Sequence, residues 1–246
     1  EVNIHACGAW EGRFGARFRV MFAFARWDRN RATLFLARDR LGVKPLHYAY
    51  LPDGQFVFGS ELKSLLIHPA FRRDIDPCAV EEYFALGYVP DPRTILAAAQ
   101  KLPPAHTLAL TRSAAQSQPR RYWDPRFTAD NRITAEDALV ELTARLDESV
   151  RLRLISEVPL GAFLSGGVDS SAVVARMATM SRPPVKTFSV GFDIARFDET
   201  PFAPTVAARS QTHSRAFKTA YLLVPALPTQ QWHPSAAPPA PPAAVP

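Results

Sequence analysis

With 246 residues, 47% of them hydrophobic, the chain can hold one large domain or two modest ones, each with its own core. No run of about 18 apolar residues could span a membrane, and Glu1-Val2-Asn3-Ile4-His5 lacks the basic start and apolar segment of a secretion signal. The formal charge of +6 comes from scattered basic residues, 24 of the 29 being Arg, with no basic helix or aromatic platform, so it reads as a solvated surface and not a nucleic-acid face.

From the N-terminus, residues 19–27 predict a strand with Val20, Phe22 and Phe24 on one face at period two. Asp28-Arg29-Asn30-Arg31 is a polar turn, and Thr33-Leu34-Phe35-Leu36-Ala37 returns as a second strand. Residues 46–51 and 55–59 flank Pro52-Asp53-Gly54, where Asp-Gly signals a hairpin. A short helix over 60–67 is stopped by Pro69. The next helix is well marked: Asp76 caps it, Pro77 suits its first position and Gly87 ends it. One more strand is expected over 101–110, and the polar stretch 111–133 marks a domain boundary.

Beyond that boundary, Leu139, Leu142, Leu146 and Val150 share one face of a helix over 135–154. An apolar run over 158–164, a helix-like 171–177 and a strand over 187–190 follow. This order of helix, strand, loop, helix and strand predicts an α/β unit with a parallel sheet. Residues 225–246 hold eight prolines and are expected to be disordered or polyproline-like. Cys7 and Cys78 lie 71 positions apart without metal-ligand spacing, which fits a reducing cytoplasm.

The segment that carries chemistry is Leu164-Ser165-Gly166-Gly167-Val168-Asp169-Ser170-Ser171, between a predicted strand and a predicted helix. Two glycines let the backbone turn tightly and aim successive N–H groups at one point. The helix that follows adds its N-terminal donors and positive dipole end. Hydroxyls of Ser165, Ser170 and Ser171 supply further donors to phosphate oxygens. Asp169 would repel a bare polyphosphate, so a carboxylate here makes sense with a divalent cation alongside the anion. No Gly-Lys-Ser/Thr follows, so this is not the lysine-bearing phosphate loop.

These eight residues are similar to the PP-loop signature of ATP pyrophosphatases, and the chain resembles the glutamine-hydrolysing asparagine synthetases. The resemblance rests also on residues 36–46, 59–65, 87–95 and 101–106, on Tyr122-Trp123 and on Phe188-Ser189-Val190-Gly191-Phe192, in order and spacing over about residues 1–208. It implies an α+β / α/β chain: the C-terminal part of an N-terminal-nucleophile β-sandwich, then the first half of a PP-loop (adenine nucleotide α-hydrolase-like) parallel-sheet domain. The expected divisions are a partial glutaminase domain over 1–115, a linker over 116–134, a partial synthetase domain over 135–208 and a Pro-rich tail over 209–246.

By resemblance the activity is ATP-dependent adenylation of a carboxylate, aspartate in the first instance, and its amidation with ammonia from glutamine. Leu164, Ser165, Gly166, Gly167, Asp169, Ser170, Ser171 and Val190 would bind ATP, with Asp169 on Mg. Leu164 and Val190 match positions beside the adenosine. The other expected partners are small molecules, with no nucleic acid and no membrane, in a cytoplasmic homodimer. Relatives that form β-lactams, or that belong to the exopolysaccharide- and exosortase-linked amidotransferases, share the loop, and a non-catalytic vestigial binding protein is a further alternative.

The family's glutaminase nucleophile is a first-residue cysteine whose free amine is the base. Residue 1 here is Glu1, and Cys7 has a peptide nitrogen. A partial sequence with no catalytic glutaminase residue and little turnover is therefore the expectation. Arg38, Asp39, Arg40 and Lys44 are read as scaffold and interface charges, and Asp198-Glu199 as either near the nucleotide or at a helix start.

Overall fold

A computed structural model describes residues 18–111, 117–129, 132–192, 198 and 200–219. The chain divides into two compact units, Glu1–Thr128 and Ala129–Pro246. Cys7, Glu199 and residues 220–246 lie outside the described residues.

The first unit holds two antiparallel sheets. In one, β1 (Ala23–Asp28), β2 (Thr33–Arg38), β6 (His106–Thr111) and β7 (Arg120–Arg121) lie in that order. In the other, β3 (His47–Tyr50) lies between β4 (Phe56–Gly59) and β5 (Gln100–Lys101). Leu36 and Leu108 from the first sheet pack with Leu46, Tyr48 and Leu102 from the second. Each such leucine stabilises the fold by about 1.5–3 kcal/mol over its exposed form. Its described residues also form two helices, α1 (Leu62–Leu65) and α2 (Pro77–Leu86). α2 is capped as its sequence requires: the Asp76 side chain accepts from Cys78 N–H, and Gly87 takes φ 79°. Cys78 is a free, exposed thiol.

The expected strand over 19–27 starts four residues later, and Val20 is 52% exposed while Phe22 is buried. The ladder with β2 begins at Ala23↔Arg38, so Val20 precedes the paired region. The single strand expected over 101–110 is two, because Pro103 and Pro104 offer no N–H to a ladder and Ala105 turns at φ 60°. The stretch expected as a linker contributes β7 to the first sheet, and Tyr122 Oη donates to the Arg38 carbonyl at 2.7 Å. Burial and the nearby Asp39 charge push the Tyr122 phenol up to about 12, which keeps it a donor.

The second unit has a three-stranded parallel sheet in the order β10 (His213–Thr219), β9 (Lys186–Phe192), β8 (Gly161–Phe163), with α3 (Ala135–Arg153), α4 (Val168–Met180) and α5 (Ala203–Arg209). Thr134 caps α3 by accepting from Asp137 N–H at 3.1 Å. Of its expected apolar face only Val150 is buried, and Leu139 and Leu142 are each 64% exposed. Helical spacing says which residues share a face, not what covers it. β8 is shorter than the apolar run 158–164, whose Pro159 has no N–H to pair. β10 takes in seven residues of the segment read as a tail from residue 209. Its partner is β9, in the register His213↔Lys186 to Thr219↔Phe192. The described residues thus form a mixed α/β fold with antiparallel and parallel sheets, and none of their helices is long and apolar enough to cross a membrane.

Candidate functional site

The segment 164–167 joins β8 to α4. The β8–β9 ladder ends at Phe163↔Phe188, and Leu164 N–H adds one more bond to the Phe188 carbonyl at 2.8 Å. There the chain leaves the sheet. Gly166 turns it at φ +86°, a backbone angle costly for any residue with a Cβ. A Cβ at this position would also lie 2.5 Å from Phe202 Cβ and 2.8 Å from Ala203 N, so the turn rests directly on the start of α5.

The turn is stapled by its own serines. Ser165 Oγ accepts from Gly167 N–H at 3.2 Å and lies 2.9 Å from Ser170 Oγ. Ser170 Oγ donates to the Gly167 carbonyl at 3.2 Å. The helix start, by contrast, has no side-chain cap, because its N-cap is Gly167. Among the described residues the other long helices, α2 and α3, are each capped by a carboxylate or hydroxyl. The first i→i−4 bond of α4 runs from Ser171 N–H to the Gly167 carbonyl at 3.0 Å. The N–H groups of Val168, Asp169 and Ser170 precede it, at the positive end of the helix dipole. Ser171 Oγ is a buried atom with no hydrogen-bond partner. Free N–H groups at a helix N-terminus behind a glycine turn suit an anion.

Asp169 is the carboxylate of the first helical turn and is exposed. Among the described residues no group of three or more His, Cys, Asp or Glu could hold a metal on its own. Further along α4, Arg176 forms a bidentate pair with Asp147 of α3. The Arg176 hydrogen bonds hold the Asp147 carboxyl below its ordinary range. This pair joins the two helices.

The structure brings Ser165, Gly166, Gly167, Asp169, Ser170 and Ser171 together in one turn and the first helical turn after it. Leu164 is 1% exposed and packs inward with Val174, Ala203 and Ala207. Val190 is on the open face of β9 at 41% exposure. Asp198 accepts from Thr200 N–H at 3.1 Å and from Thr200 Oγ1 at 2.6 Å, shaping the turn that leads into α5. Residue-by-residue reading missed two supports beneath the loop. One is the Phe202–Ala203 peptide; the other is Ser189, whose Oγ donates to the Leu164 carbonyl at 2.7 Å. A hydroxyl on the buried side of a strand, at period two between Thr187 and Gly191, was the available signal for Ser189.

Comparison with known proteins gives two family matches in series. Residues 1–123, half of the chain, match the glutamine amidotransferase domain, and residues 141–246 match asparagine synthase. The chain belongs to the glutamine-hydrolysing asparagine synthetase family. Among its family relatives is a putative asparagine synthetase [glutamine-hydrolyzing] 2 of Methanocaldococcus jannaschii, 37% identical over 208 residues, 82% of this chain and 39% of that protein. Asparagine synthetase [glutamine-hydrolyzing] 1 of Bacillus subtilis is 36% identical over 209 residues, 85% of this chain and 32% of that protein. An amidase of Penicillium rubens, chyE, is 32% identical over 176 residues, 70% of this chain and 25% of that protein. The chain thus spans less than two-fifths of each of these relatives. The synthase match takes in the whole loop and continues past residue 208, where the motif resemblance stops.

Proposed function

We propose that this chain supplies the ATP-binding start of a synthetase that adenylates a carboxylate, aspartate in the first instance, and amidates it with ammonia drawn from glutamine. The observation that carries this reading is the uncapped N-terminus of α4, presented by a glycine turn. In this assignment residues 1–115, within the first unit, belong to an N-terminal-nucleophile glutaminase domain. The loop opens the PP-loop synthetase domain, over 135–208. Its partners are small molecules, its compartment the cytoplasm and its assembly a homodimer.

Each residue then has a definite task. N–H groups at the start of α4 bind the pyrophosphate oxygens, while Ser165 and Ser170 keep the turn in shape and Ser171, its Oγ buried, lies beneath the donors. Gly167, with φ −70° and ψ 164°, is there because a bare backbone lets the phosphates approach closely. Val190, on the open face of β9, lies beside the adenosine, and Leu164 anchors the root of the loop. Adenylation builds charge on departing pyrophosphate, and fixed donors aimed at that charge lower the barrier without reorganising.

Asp169 suits a magnesium ion that arrives with the nucleotide. Mg²⁺ keeps several waters and phosphate oxygens and needs only one or two carboxylates. An isolated exposed Asp beside an anion site fits that demand, though it would not make a metal site alone. When bound, the ion would neutralise polyphosphate charge.

The reaction is tested by its products. The chain is incubated with Mg-ATP, aspartate and ammonium, and the nucleotides are separated. Turnover by this chain is expected to be small, and what ATP is consumed is expected to appear as AMP with an equal amount of pyrophosphate. ADP with orthophosphate would contradict cleavage between the α- and β-phosphates.

A further inference from the structure

We propose that Ser189, which is not placed to touch the nucleotide, is the positioning residue that sets the phosphate loop, an inference resting on the polyphosphate assignment above. β9 alternates: Thr187, Ser189 and Gly191 point into the unit, while Lys186 and Val190 face out. A buried polar side chain needs a partner, and those of β9 find theirs at the ends of neighbouring segments. Thr187 Oγ1 lies 3.1 Å from Thr212 Oγ1, just before β10. Ser189 Oγ donates to the carbonyl of Leu164 at 2.7 Å, just after β8.

The second bond sits where the chain turns from sheet to loop. Leu164 has its N–H on the Phe188 carbonyl and its side chain in the core. With its carbonyl held by Ser189, every polar group of the last residue before the turn is fixed. The peptide that follows is planar, so the direction of the Leu164 carbonyl also sets that of Ser165 N–H. Ser165 N–H points to Ser170 Oγ at 3.4 Å, and Ser170 Oγ donates to the Gly167 carbonyl at 3.2 Å. A continuous path of hydrogen bonds thus runs from the buried strand, through one peptide plane, to the N-cap of α4. Losing its first link frees the Leu164–Ser165 peptide to rotate, and the donors downstream lose their common aim.

A merely structural hydroxyl would change stability and leave ligand affinity alone. Mg-ATP and inorganic pyrophosphate are titrated onto the wild-type chain, Ser189→Ala and Ser189→Thr, with thermal melting run alongside. Ser189→Ala is expected to weaken both ligands by a common factor of about tenfold, the scale of one well-placed hydrogen bond. Ser189→Thr keeps the hydroxyl on a strand and is expected to bind within about twofold of wild type. If Ser189→Ala does not fold, Ser189→Cys, with its weaker donor, takes its place and is expected to lie between the other two. Unchanged affinity in the hydroxyl-less variant overturns the proposal, as does a loss confined to ATP or a Thr variant as weak as Ala. Failure of the wild type to bind either ligand would instead sink the polyphosphate assignment, and the proposal with it.

Discussion

Replacing Asp39 with alanine is expected to destabilise the first unit by about 3–5 kcal/mol, the cost of removing one partner from a buried charged network. Asp39 is 2% exposed. Its carboxylate accepts from the N–H groups of Phe22 at 3.3 Å, Leu41 at 3.2 Å, Val43 at 3.0 Å and Lys44 at 2.9 Å. Arg38 does the converse for the carbonyls. Its Nε donates to Lys44 O at 2.9 Å, and its other nitrogens to Gly42 O at 2.8 Å and Leu102 O at 2.7 Å, with Asp91 as counter-charge at 3.0 Å. Between them the two side chains gather both kinds of backbone group in the connection from β2 to β3. Asp39→Asn would turn one acceptor oxygen into a donor facing donors, so it is expected to be nearly as damaging as alanine. Hydrogen exchange at the β2 and β6 amides measures this without assuming that the two units unfold together. Protection within about 1 kcal/mol of wild type in both variants would contradict the scaffold role.

The second large effect is at Gly166. Alanine there must adopt a left-handed backbone, at about 1–2 kcal/mol, and its Cβ meets Phe202 Cβ at 2.5 Å and Ala203 N at 2.8 Å. Those are backbone or near-backbone atoms that cannot swing aside, and such overpacking costs about 1–3 kcal/mol. Gly166→Ala is therefore expected to lose roughly 2–5 kcal/mol of stability and to weaken Mg-ATP by at least about tenfold, because the turn must move off α5. Gly167 provides the contrast. Its backbone is ordinary, and a Cβ there would meet only Ser165 Oγ, at 3.3 Å. Gly167→Ala is expected to melt near wild type yet bind Mg-ATP more weakly, since the methyl group stands where phosphates approach. Paired melting and titration of the two variants read this directly. Equal losses of stability in both would contradict the account of the turn.

Much of this architecture was legible because local rules and tertiary demands agree. Asp76, Pro77 and Gly87 bracket α2 by capping chemistry alone, and Asp53-Gly54 sits in the turn between β3 and β4. The loop was legible as a pattern of types: glycines to turn, hydroxyls to staple, a helix to follow. What periodicity could not show is what lies opposite a face. Val20 has the right spacing for a buried strand but precedes the ladder, and Leu139 and Leu142 share a helical face that the described residues leave open. The extent of order beyond residue 209 was misjudged for a related reason. The prolines of 225–246 dominate the composition, whereas His213–Thr219 is held by pairing with β9, a contact between distant segments. Ser189 and the Phe202–Ala203 peptide escaped notice because their roles exist only through atoms 25 and 36 positions away in the chain.

The central claim is that the uncapped start of α4 holds the polyphosphate of ATP. Calorimetric titration of Mg-ATP onto the wild-type chain and onto Gly167→Asp, with inorganic pyrophosphate as competitor, tests it most directly. Wild type is expected to bind Mg-ATP at a single site from which pyrophosphate displaces it, and Gly167→Asp, which puts a carboxylate among the donors, is expected to bind neither. Binding of Mg-ATP to Gly167→Asp with wild-type affinity, or binding to wild type that pyrophosphate cannot displace, would contradict it.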